Sequence, residues 1–357
     1  MEREMRSILE QFPAKGTWTE IRPIGRGHIN RTFLAETDAG AAYLLQRIND
    51  AVFPDVDGLM ENILLVTEHL RRKIKAAGGD PERETMRVIP AKDGRPYART
   101  DSGCWRLYPY LSDTVTIQAV QRPEEFYLAA RAFGRFQALL EDFPARRLHA
   151  VIPEFHNTPK RLRDLWDAAE KDTLGRRREV ERELDFLRQR EAYAAALEQA
   201  GLPVRVTHND TKLNNLLFDK KTMQPVCVVD LDTIMPGTSL YDFGDAIRYG
   251  VNTAAEDETD LDKVTCDLAL YEAFCRGWLG SCGEKMTAGE KDLLADSARI
   301  ITLECGARFL EDYLRGDGYF ATSRPGQNLD RARNQLRLAA ELERRDGEIR
   351  RMIGRSL

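Results

Sequence analysis

The chain has 357 residues, 42% of them hydrophobic and 31% charged, and its formal net charge is −5. This length supports one large or two smaller hydrophobic cores, and it excludes a small scaffold that needs disulfides for stability. The negative balance disfavours nucleic acid and anionic membranes as partners, so we expect a small molecule or a protein instead.

The amino-terminal segment 1–12 is charged and amphipathic, and it lacks the apolar centre of a secretory signal. No apolar run approaches the roughly 20 residues that are needed to span a bilayer. The six cysteines are scattered without a C-x-x-C pair, and we interpret them as reduced thiols that fill small spaces in the core. These features predict a soluble, cytoplasmic protein.

The first 110 residues are predicted to form an antiparallel sheet with one helix packed on it. Apolar residues at helical spacing predict the helix over 54–75. Five strands are predicted from β-type runs and turn signals, at 17–25, 29–37, 41–48 and, around a turn at Asp93-Gly94, twice within 88–111.

Beyond Leu111 the hydrophobic pattern becomes helical. Helices are predicted over 123–143, 158–172, 176–197, 261–279, 288–314 and 329–353. Short β-branched runs separated by polar turns interrupt this helical part at 204–234. Because loops that a rigid scaffold holds in place often carry reactive groups, we expect the chemistry in this interruption.

Four polar residues in this region have a defined spacing, namely His208, Asp210, Asn215 and, after a short hairpin, Asp230. The pattern H-x-D-x-x-x-x-N, followed by an apolar strand that ends in Asp, resembles the aminoglycoside phosphotransferase and choline kinase group, relatives of protein kinases. Phosphoryl transfer from ATP needs a carboxylate that orients the attacking hydroxyl, and oxygen ligands that place Mg²⁺ between the phosphates. The resemblance implies Asp210 as catalytic base, His208 as a brace of its loop, and Asn215 and Asp230 as metal ligands.

The resemblance also implies the fold class. It is α+β, a protein-kinase-like bilobal fold with an antiparallel five-stranded sheet and one helix in the first lobe and a larger, mostly helical second lobe. The implied domains are a nucleotide-binding lobe at 1–105, a hinge at 106–112 and a catalytic and substrate-binding lobe at 113–357. The implied co-substrate is ATP and the implied cofactor is Mg²⁺.

The nucleotide site is predicted from the same resemblance. Gly25 and Gly27 lie in the turn between the first two strands, where the family has a glycine-bearing loop that covers the phosphates. The third strand carries a phosphate-binding lysine in protein kinases, but here Gln46 occupies the expected position. Either Arg47 reaches the phosphates, or the phosphates are held in another way.

Two further features of the predicted nucleotide site have alternatives. The carboxylate partner from the first helix is Glu61 or Glu68, and each is otherwise a solvated helix residue. Tyr108 and Tyr110 lie in the hinge that would bind adenine, and their alternative role is to fill the core.

Several longer phrases resemble one branch of the superfamily, the N-acetylhexosamine 1-kinases, from about residue 25 to 335. They lie at 27–30, 45–49, 132–137, 152–158, 207–219, 228–237, 241–248, 308–310 and 316–320. This branch also has Gln46 and Arg47, so the missing lysine does not indicate an inactive enzyme. Asp232 either touches metal or caps a turn, and Asp245 is expected to brace the catalytic loop.

The branch phosphorylates the anomeric hydroxyl of N-acetylglucosamine or N-acetylgalactosamine, and the resemblance implies the same sugars here. Sugar recognition needs polar groups that pair with hydroxyls, because an unpaired donor in a closed site is costly. The candidates are His28, Asn209, Arg308, Asp317 and Tyr319.

Two other functions remain open. One is a kinase for another small alcohol, such as an aminoglycoside, choline or a different sugar, and the other is an inactive nucleotide-binding module. The intact Asp210, Asn215 and Asp230 argue against the inactive module. An aminoglycoside would need an acidic wall for a polycation, whereas the carboxyl-terminal segment is basic and aromatic.

Overall fold

The computed structural model describes residues 2–24 and 30–357. The chain forms two compact units, which we call the sheet unit and the helical unit. The sheet unit comprises Met1–Val115, Asp142–Pro153 and Leu217–Pro236, and the helical unit comprises Thr116–Glu141, Glu154–Leu216 and Gly237–Leu357. The sheet unit therefore contains two segments that lie beyond the predicted hinge at 106–112.

Ten strands and thirteen α-helices are formed by the described residues. The strands are β1 (Trp18–Pro23), β2 (Arg31–Thr37), β3 (Ala42–Arg47), β4 (Ala98–Thr100), β5 (Gly103–Pro109), β6 (Thr114–Thr116), β7 (Arg205–Thr207), β8 (Leu216–Asp219), β9 (Pro225–Val228) and β10 (Met235–Gly237). The helices are α1 (Glu2–Leu9), α2 (Val56–Ala76), α3 (Pro123–Leu139), α4 (Thr158–Lys171), α5 (Glu181–Arg188), α6 (Glu191–Ala194), α7 (Ala196–Gln199), α8 (Ser239–Gly250), α9 (Leu268–Cys282), α10 (Ala288–Asp292), α11 (Leu294–Arg315), α12 (Gln327–Arg344) and α13 (Asp346–Ser356).

The sheet unit is built on an antiparallel sheet with the strand order β1-β2-β3-β5-β4. Alternate residues of β3 and β5, such as Leu45 and Leu107, lie in one hydrophobic core. The apolar face of α1 contributes Ile8 and Leu9 to that core, so the sheet carries a helix that the sequence analysis did not predict. The predicted α+β class, with a five-stranded antiparallel sheet before a helical part, is confirmed.

The predicted hairpin at Asp93-Gly94 is wrong. Those residues do form a turn, in which Gly94 N donates to Ala91 O, but the segment before it pairs with β5 only through an isolated bridge at Ile89. Pro90 follows that bridge and has no N–H for a ladder, which accounts for the absence of a strand there. The actual hairpin joins β4 to β5 through residues 101–102.

The helical unit is organised around α11, which packs against α4, α8 and α12. Its core includes Leu303, Leu310, Leu165 and Leu336. The single helix predicted over 176–197 is wrong, because the chain there forms a 3₁₀ turn and the short helices α5, α6 and α7. Arg190 donates from its Nη1 to Phe186 O and so satisfies a carbonyl at the end of α5.

All six cysteines are free, and five of them are buried, as expected for thiols that fill the core. None of the helices formed by residues 2–24 and 30–357 is long and apolar enough to cross a bilayer.

Candidate active site

The loop that follows β7 holds Asp210 by both carboxylate oxygens. Lys212 Nζ lies 2.8 Å from Oδ1, and Asn215 Nδ2 donates to Oδ2 at 2.8 Å. The same Asn215 nitrogen donates to the backbone carbonyl of Asp210 at 2.9 Å, which closes the loop on itself. Two independent side chains therefore fix the orientation of the carboxylate.

Burial acts to raise the pKa of the Asp210 carboxyl, but the opposing effects are larger. The charge of Lys212, a hydrogen bond from the same ammonium and the hydrogen bond from Asn215 together lower that pKa below its usual value. Asp210 is therefore ionised at neutral pH and available to accept a proton.

Asn215 is suited to hold a metal ion as well as to orient Asp210. Its Nδ2 makes both of its hydrogen bonds, and among the described residues nothing donates to its Oδ1. An amide oxygen is a ligand atom that Mg²⁺ accepts. The residue therefore fits the predicted ligand role, although no group of three or more His, Cys, Asp or Glu residues suited to a metal occurs in the described parts of the chain.

Lys212 is a site residue that the sequence analysis missed. The signal was present, because a lysine two residues after a predicted base lies in the same loop and extends from the same turn. Its charge is retained, since the attraction of Asp210 outweighs burial and raises the pKa of the ammonium. The loop thus presents a carboxylate and a cation side by side.

The backbone of the loop that carries Asp210 is held by two aspartates of α8. Asp242 is buried and accepts hydrogen bonds from His208 N at 3.0 Å and Asn209 N at 2.7 Å. Asp245 accepts from Thr211 N at 2.9 Å, which agrees with the expectation that it braces this loop. Asp242 was not predicted, although the spacing of three residues places both carboxylates on one face of α8.

Other residues hold the two aspartates in turn. Gln137 of α3 donates to Asp242 Oδ2 at 2.7 Å and to Val206 O at 3.0 Å. Arg248 donates to Asp245 Oδ1 from Nη2 at 2.7 Å. Burial raises the pKa of the Asp242 carboxyl, although three hydrogen bonds, from His208 N, Asn209 N and Gln137, act against this effect.

His208 and Asn209 precede Asp210 and are both buried. His208 Nδ1 lies 3.3 Å from Asp210 N, in a position to accept a hydrogen bond, and its ring meets the edges of Phe133 and Phe136. These contacts are those of a residue that supports the loop. Asn209 has a left-handed backbone, with φ of 63°, and directs its amide group to Thr207 O.

A buried histidine–carboxylate pair supports Asn209 from the opposite side. His156 Nε2 lies 3.3 Å from Asn209 O, and because a carbonyl only accepts, this nitrogen is the donor. The other ring nitrogen lies 2.7 Å from Glu304 Oε1, and Thr158 donates to Oε2 of the same carboxylate at 2.7 Å. Burial acts to raise the pKa of Glu304. The charge of His156 and the hydrogen bonds from His156 and Thr158 outweigh burial and lower that pKa.

The segment with the predicted metal ligand Asp230 belongs to the sheet unit. Asp230 is exposed and has a left-handed backbone, with φ of 59°. Asp232, two residues later, is buried in a bidentate pair with Arg106, whose Nη1 and Nη2 lie 2.5 and 3.0 Å from its two oxygens. Asn30 also donates to Asp232, so both carboxylate oxygens are engaged by protein groups.

The predicted phosphate-binding side chains of β3 contact protein groups. Gln46 Oε1 accepts from Arg106 Nε at 3.1 Å and Nη2 at 2.9 Å. Arg47 Nε donates to Ser102 O at 2.6 Å, beside Gly103. Of the two alternative acids on α2, Glu61 contacts His149 and Glu68 is exposed.

The two predicted adenine-site tyrosines differ in exposure. Tyr108 is buried, with the guanidinium of Arg106 5.4 Å from its ring centroid. Tyr110 is 39% exposed, and its backbone N–H donates to Ala42 O. The predicted Gly25, Gly27 and His28 lie outside the described residues.

The remaining acceptor-site candidates lie on or after α11. The guanidinium carbon of Arg308 lies 4.8 Å from the ring centroid of Phe155 and 5.5 Å from that of Phe320. In the described part of the chain it makes no hydrogen bond or ion pair. Arg308 is therefore a cation held by aromatic faces with its donors unused.

Asp317 and Tyr319 belong to a tight turn after α11. Asp312 accepts hydrogen bonds from the backbone N–H groups of residues 318–320 and shapes this turn. Asp317 has a left-handed backbone and is held by Arg176 at 2.8 Å and Asn328 at 3.0 Å. Tyr319 is 58% exposed.

Comparisons with known proteins show the family and the fold. A family model described as the phosphotransferase enzyme family matches residues 20–280. Among solved structures, an aminoglycoside phosphotransferase from Alicyclobacillus acidocaldarius has a TM-score of 0.62 at 15% identity, covering 98% of this chain and 96% of that chain. A spectinomycin phosphotransferase in complex with ADP and spectinomycin has a TM-score of 0.63 at 11% identity, covering 96% and 98%. A choline kinase from Cryptosporidium parvum has a TM-score of 0.58 at 14% identity, covering 98% of both chains.

Proposed function

The chain belongs to the phosphotransferase enzyme family, and we propose that it is a kinase that uses ATP and Mg²⁺ to phosphorylate the anomeric hydroxyl of an N-acetylhexosamine or a closely related sugar. The observation that carries the kinase assignment is the ionised Asp210 fixed by Lys212 and Asn215. This arrangement supplies what phosphoryl transfer needs from a protein, which is positioning and electrostatic stabilisation.

In the proposed reaction, Asp210 orients the acceptor hydroxyl and takes its proton as the oxygen attacks the γ-phosphorus of ATP. The bond between that phosphorus and the bridging oxygen breaks, and ADP leaves. Asp210 is suited to this role because its lowered pKa keeps it ionised and its two contacts limit rotation of the carboxylate.

Lys212 and Asn215 have distinct roles in this proposal. The ammonium of Lys212, 2.8 Å from the base, stabilises the negative charge on the oxygens of the transferring group. Asn215, through its unused Oδ1, and Asp230 are the proposed ligands of Mg²⁺. When bound, this ion neutralises charge on the phosphate oxygens.

The proposed acceptor is a neutral sugar because of the charge around the turn after α11. Arg308 presents unused donors between Phe155 and Phe320. Burial and then the charge of Arg308 lower the pKa of Arg161, although the charges of Glu304 and Glu311 act in the opposite direction, so two guanidinium groups lie close together here. Guanidinium donors suit hydroxyl and acetamide oxygens, whereas a polycation would be repelled.

The alternative is a kinase for another small alcohol, such as an aminoglycoside or choline. This alternative is favoured by the names of the structural relatives, which include phosphotransferases for both kinds of substrate. The unused guanidinium donors of Arg308 oppose it, because these substrates carry cationic amines.

A panel assay distinguishes the two proposals. ADP release is measured with N-acetylglucosamine, N-acetylgalactosamine, other free hexoses, kanamycin, spectinomycin and choline at equal concentrations, with and without Mg²⁺. We expect turnover of an N-acetylhexosamine only with the metal, and phosphorus NMR of the product showing coupling to the anomeric proton. A 6-phosphate product, or turnover confined to choline or an aminoglycoside, would refute the proposal of a sugar 1-kinase. The more general proposal of a kinase would stand.

A further inference from the structure

Arg106 is a fully buried cation on the same sheet face as the position where the family's lysine is missing. Gln46 and Arg106 are register partners on the neighbouring strands β3 and β5, so their side chains point to the same face. Arg106 is 1% exposed and uses Nε and Nη2 to bond Gln46. A buried guanidinium must be paired, and here its acidic partner is Asp232.

Asp232 connects Arg106 to two functional segments of the sheet unit. It follows the predicted metal ligand Asp230 by two residues, within the 3₁₀ turn Leu231–Thr233. It also accepts from Asn30, which directly follows the predicted phosphate-covering turn. Asn30 is itself fixed, because its Oδ1 accepts from Asn49 N at 3.0 Å.

The geometry defines the role that Asp232 can have. Both of its oxygens accept from Arg106, and one accepts from Asn30 as well, so the carboxylate is committed to protein donors. A bidentate guanidinium pair fixes a carboxylate in position and orientation more firmly than a single ammonium contact. The turn that carries Asp230, in its left-handed conformation, is therefore held from the buried side.

We propose that Arg106 is a positioning residue that takes over the buried positive charge of the absent lysine and acts through Asp232 to hold the metal-binding turn. In this proposal Arg106 acts through its contacts with Asp232 and Gln46, and magnesium-dependent nucleotide binding depends on it. Asn30 extends the same network to the residues that follow the phosphate-covering turn. The inference rests on the proposed function only in taking Mg²⁺ and a nucleotide as the ligands.

The first test uses Asn30→Ala, which removes one bond to Asp232 without leaving a buried charge unpaired. Binding of ADP is measured by calorimetry with and without Mg²⁺, and the ratio of the two affinities is compared with that of the wild type. We expect this ratio to fall by about five- to tenfold, on the scale of the net contribution of one ordinary hydrogen bond. The matched control is Arg83→Ala, which removes the partly exposed pair with Asp219 in the same unit and should change the ratio less than twofold.

The second test exchanges the cation between the strands. Gln46→Lys alone puts an ammonium against the guanidinium of Arg106, and Arg106→Gln alone leaves Asp232 buried without a cation, so both should lower the melting temperature. The double variant restores one cation. A lysine at 46 extends towards the space that the Arg106 guanidinium vacates, since Arg106 Nη2 lies between Gln46 Oε1 at 2.9 Å and Asp232 Oδ2 at 3.0 Å.

We therefore expect the double variant to be more stable than either single variant and to recover part of the magnesium-dependent ADP affinity. If the losses of stability in the two single variants simply add in the double variant, the lysine does not replace the charge of Arg106, and the exchange is refuted. This unfolding measurement needs no ligand. An unchanged magnesium effect in folded Asn30→Ala would overturn the positioning role while leaving the kinase proposal intact. A wild-type protein that binds no ADP with Mg²⁺ would instead overturn both.

Discussion

Replacing Asp242 by asparagine tests whether the catalytic loop depends on its buried brace. The carboxylate accepts from His208 N and Gln137 Nε2 on one oxygen and from Asn209 N on the other. Asparagine keeps the shape but offers one acceptor. In its best orientation the amide oxygen keeps the bonds from His208 N and Gln137 Nε2. The NH₂ group then faces Asn209 N–H, so the bond from Asn209 N is lost and two donors face each other.

The size of the effect follows from those contacts. A hydrogen bond to a charged acceptor contributes about 1.5–3 kcal/mol, and an unsatisfied buried donor costs about 1–3 kcal/mol. Burial disfavours the charged carboxylate and so raises the pKa of Asp242. The neutral asparagine avoids this cost, which offsets part of the loss. We expect the free energy of unfolding to fall by about 2 kcal/mol. Because Asn209 adjoins the base, we also expect kcat to fall by about 10²-fold, as for a displacement of about 1 Å.

The assay compares Asp242→Asn with Glu341→Gln, which weakens another buried carboxylate cluster in the helical unit. Glu341 pairs with Arg337 at 3.0 Å and Arg344 at 2.7 Å, on α12. Urea unfolding measures stability, and steady-state kinetics measures kcat and the KM for ATP. The reasoning is refuted if Asp242→Asn loses stability but retains kcat within threefold, or if the control loses kcat equally.

Three further outcomes are expected from side chains of the helical unit. Asp210→Asn should lower kcat by about 10²–10⁴ with ADP affinity within a few fold, because a positioned base acts mainly in the transition state, and near-normal turnover would exclude it as the base. Lys212→Met removes the charge that lowers the pKa of Asp210, so the acid limb of the kcat/KM profile should move to higher pH, whereas Lys212→Arg should leave it in place. The limb moves this way because the base is active only when ionised. Arg308→Leu should raise the KM for the sugar by about tenfold, on the scale of a lost hydrogen bond to a charged donor, and leave the KM for ATP unchanged; an unchanged sugar KM would remove Arg308 from the acceptor site.

Most of the fold was predictable because the spacing of hydrophobic residues indicates which face of each strand or helix is buried. The strands β1, β2 and β3 and the helices α2, α3 and α4 follow alternation or helical spacing closely. The pattern failed at α8, where buried polar residues such as Asp242 and Asp245 take positions that a core helix usually gives to apolar residues. It also failed over 176–197, where a charged, helix-favouring composition conceals breaks that depend on tertiary contacts.

The candidate site was predictable where function requires a fixed spacing along one segment. Asp210 and Asn215 lie in one loop and were found as a motif, whereas their supports come from distant segments. The contact of Asp232 with Arg106 spans 126 positions, and that of His156 with Glu304 spans 148. Pairing between strands and packing between helices bring such residues together, and neither leaves a local signal in the sequence.

The left-handed backbone at Asn209 and at Asp230 sets a limit on how this protein can be thermostabilised. A non-glycine residue in that region costs on the order of 1–3 kcal/mol, which glycine would relieve. Yet Asn209 directly precedes the proposed base, and Asp230 is a proposed ligand. Selection for heat resistance alone would therefore favour glycine at these two positions, where the substitution lowers activity. A screen for thermostable variants should also measure turnover.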